Sequence, residues 1–175
     1  GQIDIGGQAL YLMQDADFQL FGASCLKELE ITQKDETINL GALEGLGIGR
    51  LKDEHPQSLS GGEKQRLQMA IARVSSNKVI ILDEPTSALT FDEVESLFKI
   101  VEDLKQKGIG IIYITHRLAE VFQIATHVAI MRDGIITLKG RVSDFTREML
   151  VKGLLPPNMD EADIKDGKAE EKAIN

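Results

Sequence analysis

The chain has 175 residues, 42% of them hydrophobic and 27% charged, which is one domain's worth of sequence with apolar content for a sizeable core. A formal net charge of −8 argues against a nucleic-acid partner, because phosphate backbones are bound by basic footprints. Cys25 stands alone, so no internal disulfide can form, and no apolar run approaches the length needed to cross a bilayer.

Ile3 and Ile5 alternate with polar residues, Gly6-Gly7 makes a two-residue turn, and Ala9 to Met13 returns, so residues 1–13 read as a β-hairpin. Gln14 follows at once, then the loop Asp15 to Gly22. Residues 24–50 read as two short helices, the first capped by Ser24 and carrying Leu26 and Leu29. The second begins at Thr37 with Ile38, Leu40, Leu43 and Leu46 on its apolar side. Gly41, Gly45, Gly47 and Gly49 look like a phosphate loop, but no Gly-Lys-Ser/Thr follows them, and they read as a loosened helix end. His55 reads as a loop residue, since no second His or Cys lies at metal-ligand spacing.

Ser60 with Glu63 three residues on is a capping box, so a helix starts at Gly61 and Gly62. Two residues without side chains, ahead of helix amides that lack internal partners, suit an anion such as phosphate. Leu67, Ala70, Ile71 and Val74 form one face of this helix, and Ser75-Ser76-Asn77 ends it. Val79 to Leu82 is an unbroken apolar run, expected for a strand covered on both faces of a parallel sheet. Asp83 and Glu84 stand at its carboxyl end, the edge where open α/β sheets place ligands. One carboxylate there can hold Mg²⁺ through water while the other orients or deprotonates an attacking water.

Thr90 and Glu93 form a second capping box, ahead of a helix with Val94, Leu97, Phe98, Val101 and Leu104 on one face and a Lys107-Gly108 stop. Ile109 to Ile114 is another buried-strand pattern and ends in Thr115-His116. Two parallel strands running the same way put His116 on the same sheet edge as Asp83 and Glu84. A short helix follows over 118–125. Strands at His127–Arg132 and Ile135–Lys139 are joined by an Asp133-Gly134 turn, and a last helix spans Val142 to Leu150. Pro156-Pro157 breaks the chain, and 158–175 is charged and poor in large apolar groups, the composition of a disordered tail.

LSGGEKQRL at 59–67, followed by VIILDEPTSAL at 79–89, resembles the signature motif and Walker B segment of the ATP-binding cassette (ABC) ATPases. YLMQDADFQLFG at 11–22 resembles the Q-loop stretch of that family, particularly in energy-coupling-factor importers, and Thr115-His116-Arg117-Leu118 resembles its H-loop. The resemblance implies an α/β fold: a partial P-loop NTPase core of ABC type over residues 1–157, with a mainly parallel sheet and a small helical subdomain inserted at about 22–76. It implies Glu84 and His116 as catalytic groups, Asp83 and Gln14 at Mg²⁺, and Gln14, Ser60, Gly61, Gly62 and Glu63 at ATP. The family's site is composite, so the first set serves the chain's own half-site while Ser60 to Glu63 close over a nucleotide held by a second ATPase domain. Ser87 to Thr90 matches the D-loop, where many members have Asp in place of Thr90. The segment after Gln14 is where the family touches its integral membrane subunits, which implies a peripheral location on the cytoplasmic face of the membrane.

No Gly-x-x-x-x-Gly-Lys-Ser/Thr occurs in the sequence, and the motif order places such a Walker A loop upstream of Gly1. The chain alone is therefore expected to bind ATP poorly and to be inactive. The leading functional expectation is the ATP-hydrolysing subunit of an ABC importer of energy-coupling-factor type, for a vitamin or metal ion. EPTSALT, THRLAEVF and MRDG resemble simple-sugar importers, which is the alternative. Other classes are a soluble ABC ATPase of DNA repair or translation and a non-catalytic module that donates only its signature face.

Overall fold

A computed structural model describes residues 9–155. Their contacts divide into two compact units, the first running to His116 and the second starting at Arg117.

The first unit is built on a three-stranded parallel sheet of order β1 (Ala9–Leu12), β2 (Val79–Asp83), β3 (Gly110–Ile114). Parallel neighbours need long crossovers. The first carries the helices α1 (Cys25–Thr32), α2 (Glu36–Gly45) and α3 (Gly61–Val74), and the second carries α4 (Phe91–Gln106). The helices α1 to α3 pack on one another as the expected helical group, with Leu29, Leu43 and Leu67 all fully buried. Glycine ends α2 through a Schellman motif: Ile48 N–H bonds Leu43 O, Gly47 N–H bonds Glu44 O, and Gly47 takes φ +69°. Gly41 and Gly45 lie within that helix, so only Gly47 acts as its stop.

Three expectations are corrected in this unit. Helix α2 begins at Glu36, not Thr37, because the Asp35 carboxylate caps it by accepting both the Thr37 and Ile38 N–H groups. The buried side of α2 is accordingly Asn39, Ala42 and Leu43, and Ile38 is exposed. Strand β2 is not equally covered: Ile80 and Leu82 are fully buried while Val79 and Ile81 are half-buried, as the alternation of a strand with one well-packed face requires. Strand β3, at the sheet edge of this unit, leaves Ile112 and Ile114 exposed instead of buried, and its Tyr113 meets Phe98 of α4 edge-on.

In the second unit, α5 (Leu118–Ile124) precedes an antiparallel pair, β4 (His127–Arg132) and β5 (Ile135–Arg141). Asp133 and Gly134, at φ 51° and 77°, form the expected tight turn between them. The expected helix over Val142 to Leu150 is interrupted. A single 3₁₀ turn at Val142–Asp144 gives way to extended Phe145, and Thr146 then caps α6 (Arg147–Leu154) by accepting the Met149 N–H. The hairpin turn at Gly6-Gly7 and the tail from 158 lie outside the described residues.

Because β2 is the central strand, Leu82→Ala should cost about 2–5 kcal/mol in urea-monitored unfolding. Ile112→Ala on half-exposed β3 should cost less than half as much as Leu82→Ala.

Candidate functional site

The sheet edge formed by the carboxyl ends of β1, β2 and β3 carries four of the residues singled out by sequence, Gln14, Asp83, Glu84 and His116. Asp83 pairs with Ile114 across the β2–β3 ladder, so Glu84 and His116 leave the sheet at the same end. The Glu84 N–H adds a further rung to the Ile114 carbonyl at 3.0 Å, and Glu84 itself takes φ 46°. That left-handed conformation is costly for a residue with a side chain and persists where surrounding structure enforces it. Here the ladder bond on one side and a Ser87 N–H to Glu84 O turn bond (3.1 Å) on the other do so.

Glu84 Oε1 lies 2.8 Å from His116 Nδ1, with the Glu84 side chain 17% and the His116 side chain 63% exposed. The second carboxylate oxygen, Oε2, is buried without a partner among the described residues. A buried acceptor left open beside a paired one is a place for a water, a metal-bound water or a donor from a ligand. A protonated imidazole here donates from Nδ1 to Glu84 and keeps its second N–H for an anion.

Asp83 has a partner that the sequence did not single out: the Tyr11 phenol donates to Oδ2 at 2.6 Å. That hydrogen bond raises the phenol above its ordinary value. The register supplies the reason, since Tyr11 pairs with Ile81 and therefore shares a sheet face with Asp83, two residues on. Gln14 is exposed just past the end of β1 and, among the described residues, makes no hydrogen bond to the acid pair.

The turn at Gln14 is instead held by two glutamines that sequence reasoning missed. Gln19 accepts the Met13 N–H at 2.7 Å and donates to the Tyr11 carbonyl at 2.7 Å. Gln68 of α3, 1% exposed, donates to the Met13 carbonyl at 3.2 Å and to Gln19 at 3.0 Å. The signal for Gln68 was a polar residue between apolar neighbours on a buried helix. Lys64 reaches Asp17 at 2.5 Å, and buried Glu28 accepts the N–H groups of Phe21 and Gly22. The loop is thus pinned along its length, while Phe18 and Phe21 stay exposed.

The start of α3 forms the second candidate region. The capping box is present: Glu63 N–H bonds Ser60 Oγ at 3.4 Å, and Glu63 Oε2 accepts the Ser60 N–H at 3.0 Å and hydroxyl at 2.9 Å. Arg50 sits on Glu63 Oε1 at 2.9 Å. These bonds, the Ser60 backbone N–H foremost, hold the Glu63 carboxyl below the usual glutamate range. One expectation is corrected here. Gly61 is exposed, but Gly62 is buried with the Glu93 carboxylate over it, so only one of the two glycines offers an open approach.

A magnesium ion fits this arrangement in one respect. Mg²⁺ is ordinarily held by one or two carboxylates together with water and substrate phosphates. Asp83 at the end of β2 and Glu84, the next residue, supply such carboxylates.

Comparison with known proteins bears on the chain as a whole. A family model described as ABC transporter matches residues 4–87. The ribose import ATP-binding protein RbsA of Lacticaseibacillus paracasei is 42% identical over 104 residues, covering 59% of this chain and 21% of that protein. RbsA of Clostridium perfringens is 41% identical over 109 residues, covering 62% and 22%. The chain therefore spans about a fifth of the length of these relatives. The structure of cbiO1 from Clostridium perfringens, described as part of the ABC transporter complex cbiONQ, superposes with a TM-score of 0.67 at 31% identity, covering 83% of this chain and 62% of that one. The fold is that of the ABC-type P-loop NTPases.

A carboxyl titration followed by NMR should place Glu63 below the ordinary glutamate value of 4.5. Since its folded pKa is lowered, the stability it contributes is present above that value and is lost as pH falls through the folded pKa. Ser60→Ala should move the Glu63 titration partway back and cost about 1 kcal/mol in neutral-pH unfolding.

Proposed function

We propose that this chain is one of the ABC transporter ATPases, as the family model over residues 4–87 and the likeness to cbiO1 support, and that it is part of the ATP-hydrolysing subunit of an ABC importer. The observation that carries the reading is the 2.8 Å Glu84–His116 pair at the ends of neighbouring parallel strands, with Glu84 Oε2 buried and without a partner among the described residues.

In this reading Glu84 directs the attacking water and accepts its proton, and His116 holds the Glu84 carboxylate and donates to the terminal phosphate. Asp83, oriented by Tyr11, would hold Mg²⁺ through water, and Gln14, exposed past the end of β1, would join it at the ion. Bound Mg²⁺ would neutralise developing phosphate charge. Ser60, Gly61 and Glu63, with the Gly62 backbone, face the nucleotide held by a second ATPase domain. The loop after Gln14, with exposed Phe18 and Phe21, meets integral membrane subunits. No helix among the described residues is long and apolar enough to cross a membrane. The likeness to import ATP-binding proteins supports a transport path in those partners, with the ATPase peripheral on the cytoplasmic face. The net charge of −8 leaves nucleic acid outside the reading. Without a Walker A loop in these 175 residues, the chain by itself holds ATP weakly and does not turn it over.

Two solute classes have support. The QDADFQLFG segment, which resembles the Q-loop stretch of energy-coupling-factor importers, favours an importer of that type for a vitamin or metal ion. The ribose importers match at 42% and 41% identity, and the EPTSALT and THRLAEVF segments agree with them, so the sugar reading is at least as well supported.

In the intact ATPase, Glu84→Gln should abolish steady-state hydrolysis while ATP binding survives, because the amide keeps the shape and loses the base. Turnover that persists in this variant would remove Glu84 from the role. Fluorescent-nucleotide titration of the 175-residue chain should show only weak binding, and tight Mg²⁺-dependent binding would refute the assignment of nucleotide affinity to a loop these residues lack.

A further inference from the structure

Gly62 is buried against a single carboxylate. A β-carbon at that position would lie 2.8 Å from Glu93 Oε1 and 3.2 Å from Oε2. Such an obstacle, the far end of a flexible side chain, matters only if it is held in place. Glu93 is held: Oε2 accepts the Thr90 N–H at 2.9 Å and the Thr90 hydroxyl at 3.0 Å, and Oε1 is ion-paired with Arg66 of α3, both side chains being three-quarters buried. Beside it, a β-carbon at Gly61 would lie 3.2 Å from Ala88 Cβ. The glycine pair at the start of α3 thus backs directly onto the segment that leads into α4.

Pro85 and Thr86 at the front of that segment are buried, and the part beyond them is open to solvent. Ser87, Ala88 and Thr90 are exposed, and the backbone bonds within it are turn bonds, Ser87 N–H to Glu84 O and Leu89 N–H to Thr86 O. Its two ends are therefore Glu84, strained at φ 46°, and the Thr90–Glu93 box.

We propose that Glu93 is a positioning residue which, through Arg66, fixes the Ser60–Glu63 start of α3 against the Ser87–Thr90 segment, so that both reach a second ATPase domain as one preset surface. The inference rests on the reading above, in which each of these segments faces that partner. Gly62 is required because the carboxylate occupies the space of its side chain. Arg66 is required as a forked cation on α3, one turn beyond the glycines. The same chain of contacts joins Glu84, which serves this chain's own half-site, to the surface offered to the other.

Glu93→Gln separates the two jobs of the side chain, since the amide still accepts from Thr90 but no longer pairs with the Arg66 charge. Hydrogen exchange on the 175-residue chain should show the peptides covering 60–63 and 87–90 exchanging about tenfold faster, together, in Glu93→Gln and in Arg66→Ala. The melting temperature should move by no more than about 3 °C. Arg66→Lys should recover part of the protection, and it serves alone if Glu93→Gln does not fold. In the assembled ATPase supplied with Mg²⁺ and ATP, both variants should raise KM for ATP by about fivefold with kcat within about twofold. Acceleration of only one segment, of neither, or of β2 along with both would overturn the proposal. A Glu84→Gln control that keeps turnover would instead sink the ATPase reading, while the exchange result would still decide whether Glu93 couples the two segments.

Discussion

The register between β2 and β3 is the constraint on which the first unit depends. Ile80 and Leu82 fill the core from one face of the central strand, and a one-residue slip would turn them outward and bring Val79, Ile81 and Asp83 in. The core therefore sets the pairing Leu82 to Tyr113 and Asp83 to Ile114. That pairing in turn sets where the acid pair and the imidazole leave the sheet. The last rung, Glu84 N–H to the Ile114 carbonyl, holds Glu84 in a conformation it would otherwise avoid, within hydrogen-bonding reach of His116. Burial of two aliphatic side chains is thus converted, through backbone geometry, into the placement of a carboxylate.

The features legible in the sequence are those fixed by a few neighbouring residues. The boxes at Ser60–Glu63 and Thr90–Glu93, the α3 face of Leu67, Ala70, Ile71 and Val74, and the Asp133-Gly134 turn are all local, and the structure contains each of them. The shared edge of Asp83, Glu84 and His116 was legible too, because parallel strands must end at the same side. The start of α2 was not, because the Asp35 carboxylate reaches the Thr37 and Ile38 N–H groups and starts the helix one residue before Thr37. Tertiary partners were also hidden. Tyr11 reads as a strand aromatic until the β1–β2 register sets it beside Asp83, and Gln19 and Gln68 meet only across 49 positions of chain. Nor does an apolar run say how many of its faces are covered, which is why β3 reads as buried and is half-exposed.

In the reading proposed above neither candidate region holds a nucleotide by itself, and the charges around the two regions agree with that reading. An α-helix presents about half a positive elementary charge at its start, and at α3 the ionised Glu63, folded back on Ser60, more than offsets it. Arg50 balances that carboxylate from an exposed position, where screening leaves an ion pair little strength. At the sheet edge, Asp83 and Glu84 stand adjacent, with a single imidazole against them. A polyphosphate approaching either region meets its own sign of charge, in a chain that carries −8 overall. Attraction must then come from a cation and from a phosphate-gripping lysine, and the sequence has no loop of that type. What these residues can supply is selective: an open Glu84 oxygen for a water, an imidazole donor, and a hydroxyl with one uncovered glycine at the start of a helix. Such groups repel the ligand as a free polyanion, and they contribute only once its charge has been neutralised and its position fixed by other parts of an assembled site.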